Sequence, residues 1–350
     1  MGGRSERRCS RCRSLPGTAG VRCALCWAAA RQPVCARWAK KWMKALPPPA
    51  HPRCATSAAA AAPPGYPAAH GGKRALLVGV AYRSTRYELR GTITDVNSMK
   101  FLLQTKFGFP AQSILVLSED EGDRSRIPTR ENMVAAMRWL VHGCRPGDSL
   151  VFHFSGHGSQ KFDTSMDEVD GYDETLCPLD YEISGMISDD EVNEMIVRPL
   201  PRGVKLHAVV DACHSGSSLD LPYVCKANRN GDYHWEVRTH VKKATSGGLA
   251  ICFSGCDDHQ TSSDTSVFTQ DIVTGAMTYC FIQAVENGPG VTYGHILLGM
   301  RAAIRESNRD FCIGGSIAAL LRRVFHTGLT QVPQLSSSEQ FNIFQTPFIL

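Results

Sequence analysis

Beyond Lys73 the chain alternates short, continuous apolar runs with segments whose apolar residues recur every three or four positions. Continuous apolar runs that end in small or polar residues suit strands buried on both faces. KRALLVGVAY (73–82), ILVLS (114–118), SLVFHFSG (149–156), KLHAVVDAC (205–213) and LAICFSG (249–255) all have that form. Helical spacing puts Val96, Met99, Leu102 and Leu103 on one face of a helix capped by Thr94 and reaching about Phe107. A second helix, capped by Thr129, carries Met133, Met137 and Leu140, and amphipathic helices follow around 271–286 and 293–306. Strands alternating with helices predict the α/β class, with a mainly parallel sheet covered by helices on both faces. Ligands of such sheets gather at the carboxyl ends of the strands, here the turns after Phe154, Val210 and Phe253.

The first 72 residues follow another pattern. Residues 1–46 are rich in cysteine and basic residues, and 47–72 (PPPAHPRCATSAAAAAPPGYPAAHGG) form a Pro/Ala/Gly linker with little to bury. Residues 1–72 hold twelve Lys/Arg against one acid, whereas the remainder holds 26 against 32, a basic arm on an acidic domain. An apolar fraction of 43% with 20% charged residues is that of a globular protein. No run approaches the roughly 18 apolar residues of a membrane span, and MGGRSERRCSRCR lacks the apolar stretch of an export signal. The expectation is a cytoplasmic protein, also nuclear, with reduced thiols. An Arg/Ala-rich, acid-poor start is equally what an organelle transit peptide presents.

Two strand ends carry reactive groups among small residues: HFSGHGS (153–159) and VVDACHSGSS (209–218). A thiol is a weak nucleophile until a base or cation makes it thiolate. His157 can take the proton of Cys213 and return it to a leaving amine, and Asp211, two residues before the thiol, can face a cationic substrate group. A buried cysteine or histidine is more often a packed core residue. That is the expectation for His153, His207 and His214, and the other cysteines from Cys144 onward are expected to be core or surface thiols.

S-G-H-G followed by D-A-C-H-S-G resembles the metacaspases of plants, fungi and protists, from about Lys73 to Leu350. DVNSM near residue 95, DGYDETLCPLD (170–180), ISDDE (187–191), FSGCDDHQTSSD (253–264) and PQLSSSEQF (333–341) extend the resemblance. The 56 residues between His157 and Cys213 approach the ~50 of caspases, although DACHSG stands where caspases have QACRG. The resemblance implies a caspase-like sheet, a larger region (about 73–225), a linker (226–248), a smaller region (249–350), and cleavage of protein substrates after Arg or Lys. It adds Asp95 and Ser155 to Asp211 in the specificity pocket. A plain helix N-terminal role for Asp95 is the alternative. The backbone N–H groups of Gly158 and Cys213 are the candidate oxyanion donors. Cys256 matches a second family cysteine.

Acids crowd the stretch from Asp163 to Glu194, a density of hard oxygens that suits calcium as well as a solvated loop. The resemblance favours a regulatory calcium site at Asp173, Asp189, Asp190 and Asp220. Cys9-x2-Cys12 and Cys23-x2-Cys26 can close a four-cysteine zinc site and resemble the finger in type I metacaspase prodomains, though the ten residues between the pairs fall short of that pattern. Such an arm suits a protein partner rather than nucleic acid, and the resemblance favours a monomer. In the basic linker, Arg229, Arg238, Lys242 and Lys243 are candidate self-processing sites. The rival function is a zinc-finger adaptor acting in cell death through partners, with catalysis secondary.

Overall fold

The five apolar runs fold side by side. In the computed structural model the described residues are 66–67, 72–163, 171–213, 216, 218–228, 231–238, 243–257, 275–287, 291–310 and 331–350, with backbone alone at 256–257, 306–310 and 331. All belong to the unit Ala58–Leu350; the other unit, Met1–Ser57, lies outside them. In chain order the strands are β1 (Lys73–Gly79), β2 (Ile114–Ser118), β3 (Ser149–Ser155), β4 (Gly158–Phe162), β5 (Tyr172–Leu176), β6 (Ile187–Ser188), β7 (Lys205–Asp211), β8 (Tyr223–Ala227), β9 (Tyr233–Val237), β10 (Leu249–Asp257) and β11 (Gln331–Ser337). The longer helices are α1 (Thr92–Thr105), α2 (Arg130–Val141), α3 (Ala276–Asn287) and α4 (Tyr293–Asp310).

Among the described residues the main sheet has eight strands in the order β2-β1-β3-β7-β10-β11-β8-β9. The five predicted strands are its parallel part, and β11, β8 and β9 extend it antiparallel. β4, β5 and β6 form a small antiparallel sheet of their own. The stretch expected as a linker contains β9, which pairs with β8 from Tyr233 to Val237.

Alternation along β1 separates the two covered faces. Leu76 and Val78 join α2's Met133, Met137 and Leu140 in one buried cluster, with Ile196 and Val197. On the other face Gly79 lies so close to α1 that a Cβ there would stand 2.8 Å from Val96 Cγ2 and 3.0 Å from the Thr92 carbonyl oxygen. α1 begins at Thr92, within that close approach, and not after a Thr94 cap. The start packs on β1, and its N-cap, Gly91, makes no side-chain cap bond. Thr129 caps α2 as expected, accepting from Asn132 N–H.

β1 leads to β2 on one side, and the chain then returns to place β3 on the other. The order therefore reverses between β1 and β3, and the crevice of such a sheet opens at that reversal, beyond the carboxyl ends of the strands.

Candidate active site

Strand register brings His157 and Cys213 together. Ser155 at the end of β3 lies opposite Asp211 at the end of β7, and each chain runs two residues further to reach its reactive group. Gly156 N–H continues the ladder by donating to the Asp211 carbonyl at 3.2 Å. Contact between the turns is so tight that a Cβ on Gly158 would sit 2.0 Å from the Cys213 carbonyl oxygen and 3.2 Å from Ala212 Cβ. Glycine at 158 is required by that approach.

The imidazole is buried and held on several sides. His157 Nε2 lies 2.8 Å from the Tyr87 carbonyl oxygen. A carbonyl only accepts, so Nε2 carries the proton and Nδ1 is the ring's basic nitrogen. The backbone N–H of His157 donates to Tyr82 Oη at 3.0 Å, and that hydroxyl donates to the Cys177 carbonyl at 2.5 Å. Tyr82 also stacks obliquely on the ring, with centroids 4.7 Å apart. Burial pushes the His157 pKa below its usual 6.5, and the Tyr87 carbonyl opposes that only in part, so the ring is neutral and basic at neutral pH. Cys213 is half-buried. Cys177, near it, is buried and its thiol is pushed up to about 12 by burial, with Cys213 adding to the shift.

Two carboxylates lie below this pair. Asp95, in the first turn of α1, accepts from Ser155 Oγ at 2.7 Å. Its carboxylate therefore has a partner on β3 in addition to its place in the first turn of the helix. Asp211 accepts from Thr278 N–H at 2.6 Å, at the start of α3. Gly275, with φ +118°, closes over Asp95, where a Cβ would lie 2.9 Å from Oδ1. Burial, and then the neighbouring Asp211, raise Asp95 well above the ordinary carboxylate range. Burial raises Asp211 too, against the N–H groups of Thr278, Gly275 and Met277. Two buried carboxylates with no counter-ion among the described residues are what a site for a guanidinium or ammonium group requires.

A second acidic cluster lies along β5 and the helical turn Asp189–Val192. Glu174 N–H donates to Asp189 Oδ2 at 3.4 Å. Burial, then Glu174 and Asp220, push Asp189 up to about 9. Asp173 meets Lys161 at 3.3 Å, and Asp190 meets Lys243 Nζ at 2.6 Å. Lys243 also pairs with Asp220. The all-oxygen donor set fits a hard cation such as calcium. Among the described residues, however, no three carboxylate, imidazole or thiol groups converge in a metal-holding arrangement.

Of the other predicted residues, His153 and His207 are core residues as expected. They bond Thr278 Oγ1 at 3.0 Å and Tyr293 Oη at 2.6 Å, and burial lowers both to about 3. Cys144 is half-buried, and Cys177, Cys225, Cys252 and Cys280 are buried. Cys9, Cys12, Cys23, Cys26, His214, Arg229 and Lys242 lie outside the described residues, as does the Cys256 side chain. Sequence reasoning missed Tyr82, Tyr87 and Glu119, whose carboxylate accepts from Ala81, Tyr82 and Arg83 N–H. The strand-end rule, applied to β1 as it was to β3 and β7, points to Tyr82.

A thiol and an imidazole on adjoining ends of parallel strands, in an eight-stranded α/β sheet, suit a cysteine peptidase. Residues 73–222 match the metacaspase peptidase C14 domain. The chain is 49% identical to metacaspase-1 of Arabidopsis thaliana, over 98% of its own length and 95% of that protein's. Metacaspase-3 of the same plant is 52% identical, with 81% of this chain and 77% of that protein covered. Metacaspase-1 of Schizosaccharomyces pombe is 37% identical over 68% of this chain and 66% of that one. A solved protein from Geobacter sulfurreducens shares 20% identity at a TM-score of 0.48, covering 79% of this chain and 98% of that one. The chain thus belongs to the metacaspase family of cysteine peptidases, and is of the plant type I kind.

Proposed function

We propose that this cysteine peptidase is an endopeptidase that cuts after arginine or lysine, with Cys213 as nucleophile, His157 as base and then acid, and calcium as its regulator. The observation that carries the specificity is the buried pair Asp95 and Asp211 beneath the adjoining strand ends. A cationic side chain entering there meets two carboxylates and the Ser155 hydroxyl, whereas an acidic one adds a third like charge, at a cost of several kcal/mol.

The chemistry follows from the placement of the groups. His157 Nδ1 takes the thiol proton as Cys213 Sγ attacks the scissile carbonyl carbon. The negative charge that develops on the carbonyl oxygen is received by the Gly158 and Cys213 N–H groups, each worth about 2.7–4 kcal/mol where such donors have been measured. His157 returns the proton to the leaving amine, and the ring then draws a proton from the water that hydrolyses the thioester. Asp173, Asp189, Asp190 and Asp220 are the calcium ligands of this proposal, and the bound ion would order the surrounding loops. Zinc, by the same proposal, belongs to Cys9, Cys12, Cys23 and Cys26. Self-processing falls at Arg229, Arg238, Lys242 or Lys243, and the process served is cell death or stress response.

Fluorogenic peptides ending in Arg, Lys or Asp, assayed with and without calcium, test this directly. Calcium-dependent hydrolysis of the basic peptides alone, abolished by Cys213→Ala, is the expected outcome. Hydrolysis after Asp would overturn the pocket assignment, and activity surviving Cys213→Ala would overturn the nucleophile.

A further inference from the structure

One lysine of the segment joining β9 to β10 lies deep in the second acidic cluster. The side chain of Lys243 is only 12% exposed, and its ammonium bridges Asp190, at 2.6 Å, and Asp220. A cation this covered is stable only with such partners. Asp220 is itself held for the purpose. It adopts a left-handed backbone (φ +47°), and Asn193 Nδ2 donates to its carbonyl at 3.0 Å and to that of Leu219 at 2.9 Å. Soon after Lys243 the chain is tied to the turn that precedes β7: Ser246 N–H donates to the Arg198 carbonyl at 3.1 Å and Gly248 N–H to that of Leu200 at 3.0 Å. Before it, Arg238 lies against the nucleophile turn, where a Cβ on Gly216 would stand 3.3 Å from both terminal guanidinium nitrogens.

The carboxylates that hold Lys243 are two of the four proposed to hold calcium. One ammonium and one divalent ion cannot both lie between Asp190 and Asp220. Nor can one lysine side chain occupy this cluster and the Asp95–Asp211 pocket at once, and the pocket must receive it if the bond after Lys243 is to be cut. We propose that Lys243 is a latch: its ammonium stands in the cation site and pins the chain at Lys243, just before β10, and a divalent cation expels it, freeing Lys243 to be recognised by an Arg/Lys pocket. The exchange needs no covalent step, because the cation enters as the ammonium leaves to water or to the pocket. This inference rests on the calcium assignment above and adds to it the means by which cation binding and self-processing are coupled.

Full-length Cys213→Ala, which keeps the segment uncut, is compared with Cys213→Ala/Lys243→Gln by calorimetric titration with calcium and by hydrogen–deuterium exchange over residues 243–249. If the latch is closed in about nine molecules of ten, removing it tightens calcium binding about tenfold, since apparent affinity scales with the competent fraction. In Cys213→Ala, calcium should also accelerate exchange over 243–249, a measurement that needs no change at Lys243. Calcium binding of equal or lower affinity in the Lys243→Gln variant, or exchange unmoved by calcium in the parent, overturns the latch and leaves the calcium assignment standing. No calcium binding by Cys213→Ala overturns both.

Discussion

Asp95 and Asp211 carry the specificity argument at the scale of single residues. Both are buried; burial raises each, and the Asp211 charge makes it harder still for Asp95 to ionise. Cys280 is a further titratable neighbour of Asp211, a thiol pushed up to about 12 by burial and then by Asp211, and hence neutral. In the proposed function a cationic substrate side chain binds the ionised pair, so kcat/KM for an Arg peptide is expected to rise with pH through a range above that of ordinary carboxylates. Asp95→Asn removes one partner of that buried charge arrangement, a loss of about 2–5 kcal/mol of binding, and kcat/KM should fall by about 30-fold to several thousand-fold. It also removes the carboxyl that the Asp211 charge raises, which leaves Asp211 alone to set the acid limb, so that limb of the residual activity should move to lower pH. A pH profile of wild type and variant checks both, and a limb that stays in place would refute the coupling. Asp211 was legible from its place two residues before the thiol. Asp95 was not legible from chemistry, because an acid in a helix's first turn explains itself locally; only its bond to Ser155, sixty residues away, gives it another purpose.

At the scale of elements, the site is assembled by strand ends, and legibility follows strand burial. β1, β2, β3, β7 and β10 read clearly because strands buried on both faces are apolar throughout. β4 (GSQKF), β9 (YHWEV) and β11 (QVPQLSS) did not, because each mixes polar residues into a short run that turn chemistry and periodicity cannot tell from loop. Tyr82, just beyond β1, ties three ends together: its hydroxyl accepts from His157 N–H beyond β3 and donates to the Cys177 carbonyl beyond β5. Tyr82→Phe leaves a buried donor and a buried acceptor without that partner, worth about 1–3 kcal/mol each. The expected outcome is a lower melting temperature and a kcat reduced about tenfold. KM for an Arg peptide should hold, since the hydroxyl touches neither pocket carboxylate. Steady-state kinetics separate the two terms, and a change confined to KM would show that Tyr82 is not a positioning residue for His157.

At the scale of the whole molecule, the sheet order decides what cutting the segment between β9 and β10 can do. A cut there puts β1 to β9 on one fragment and β10 and β11 on the other. The strands do not separate along that line. β10 lies between β7 of the first fragment and its own β11, and β11 lies between β10 and β8 of the first fragment. Two sets of inter-fragment strand pairs therefore survive the cut, β7 with β10 in parallel and β11 with β8 antiparallel. α3 adds to them, since Thr278 N–H holds Asp211 from across the division. The proposed pocket would need both fragments: Asp95, Ser155 and Asp211 come from one, and the N–H groups that steady Asp211 come from the other. Cleavage can release the segment but not the halves. Protein cut in this segment should elute from gel filtration as a single species containing both fragments, and divide only in denaturant. Two native peaks would mean that the interleaved pairing of β7, β10, β11 and β8 does not hold the molecule together.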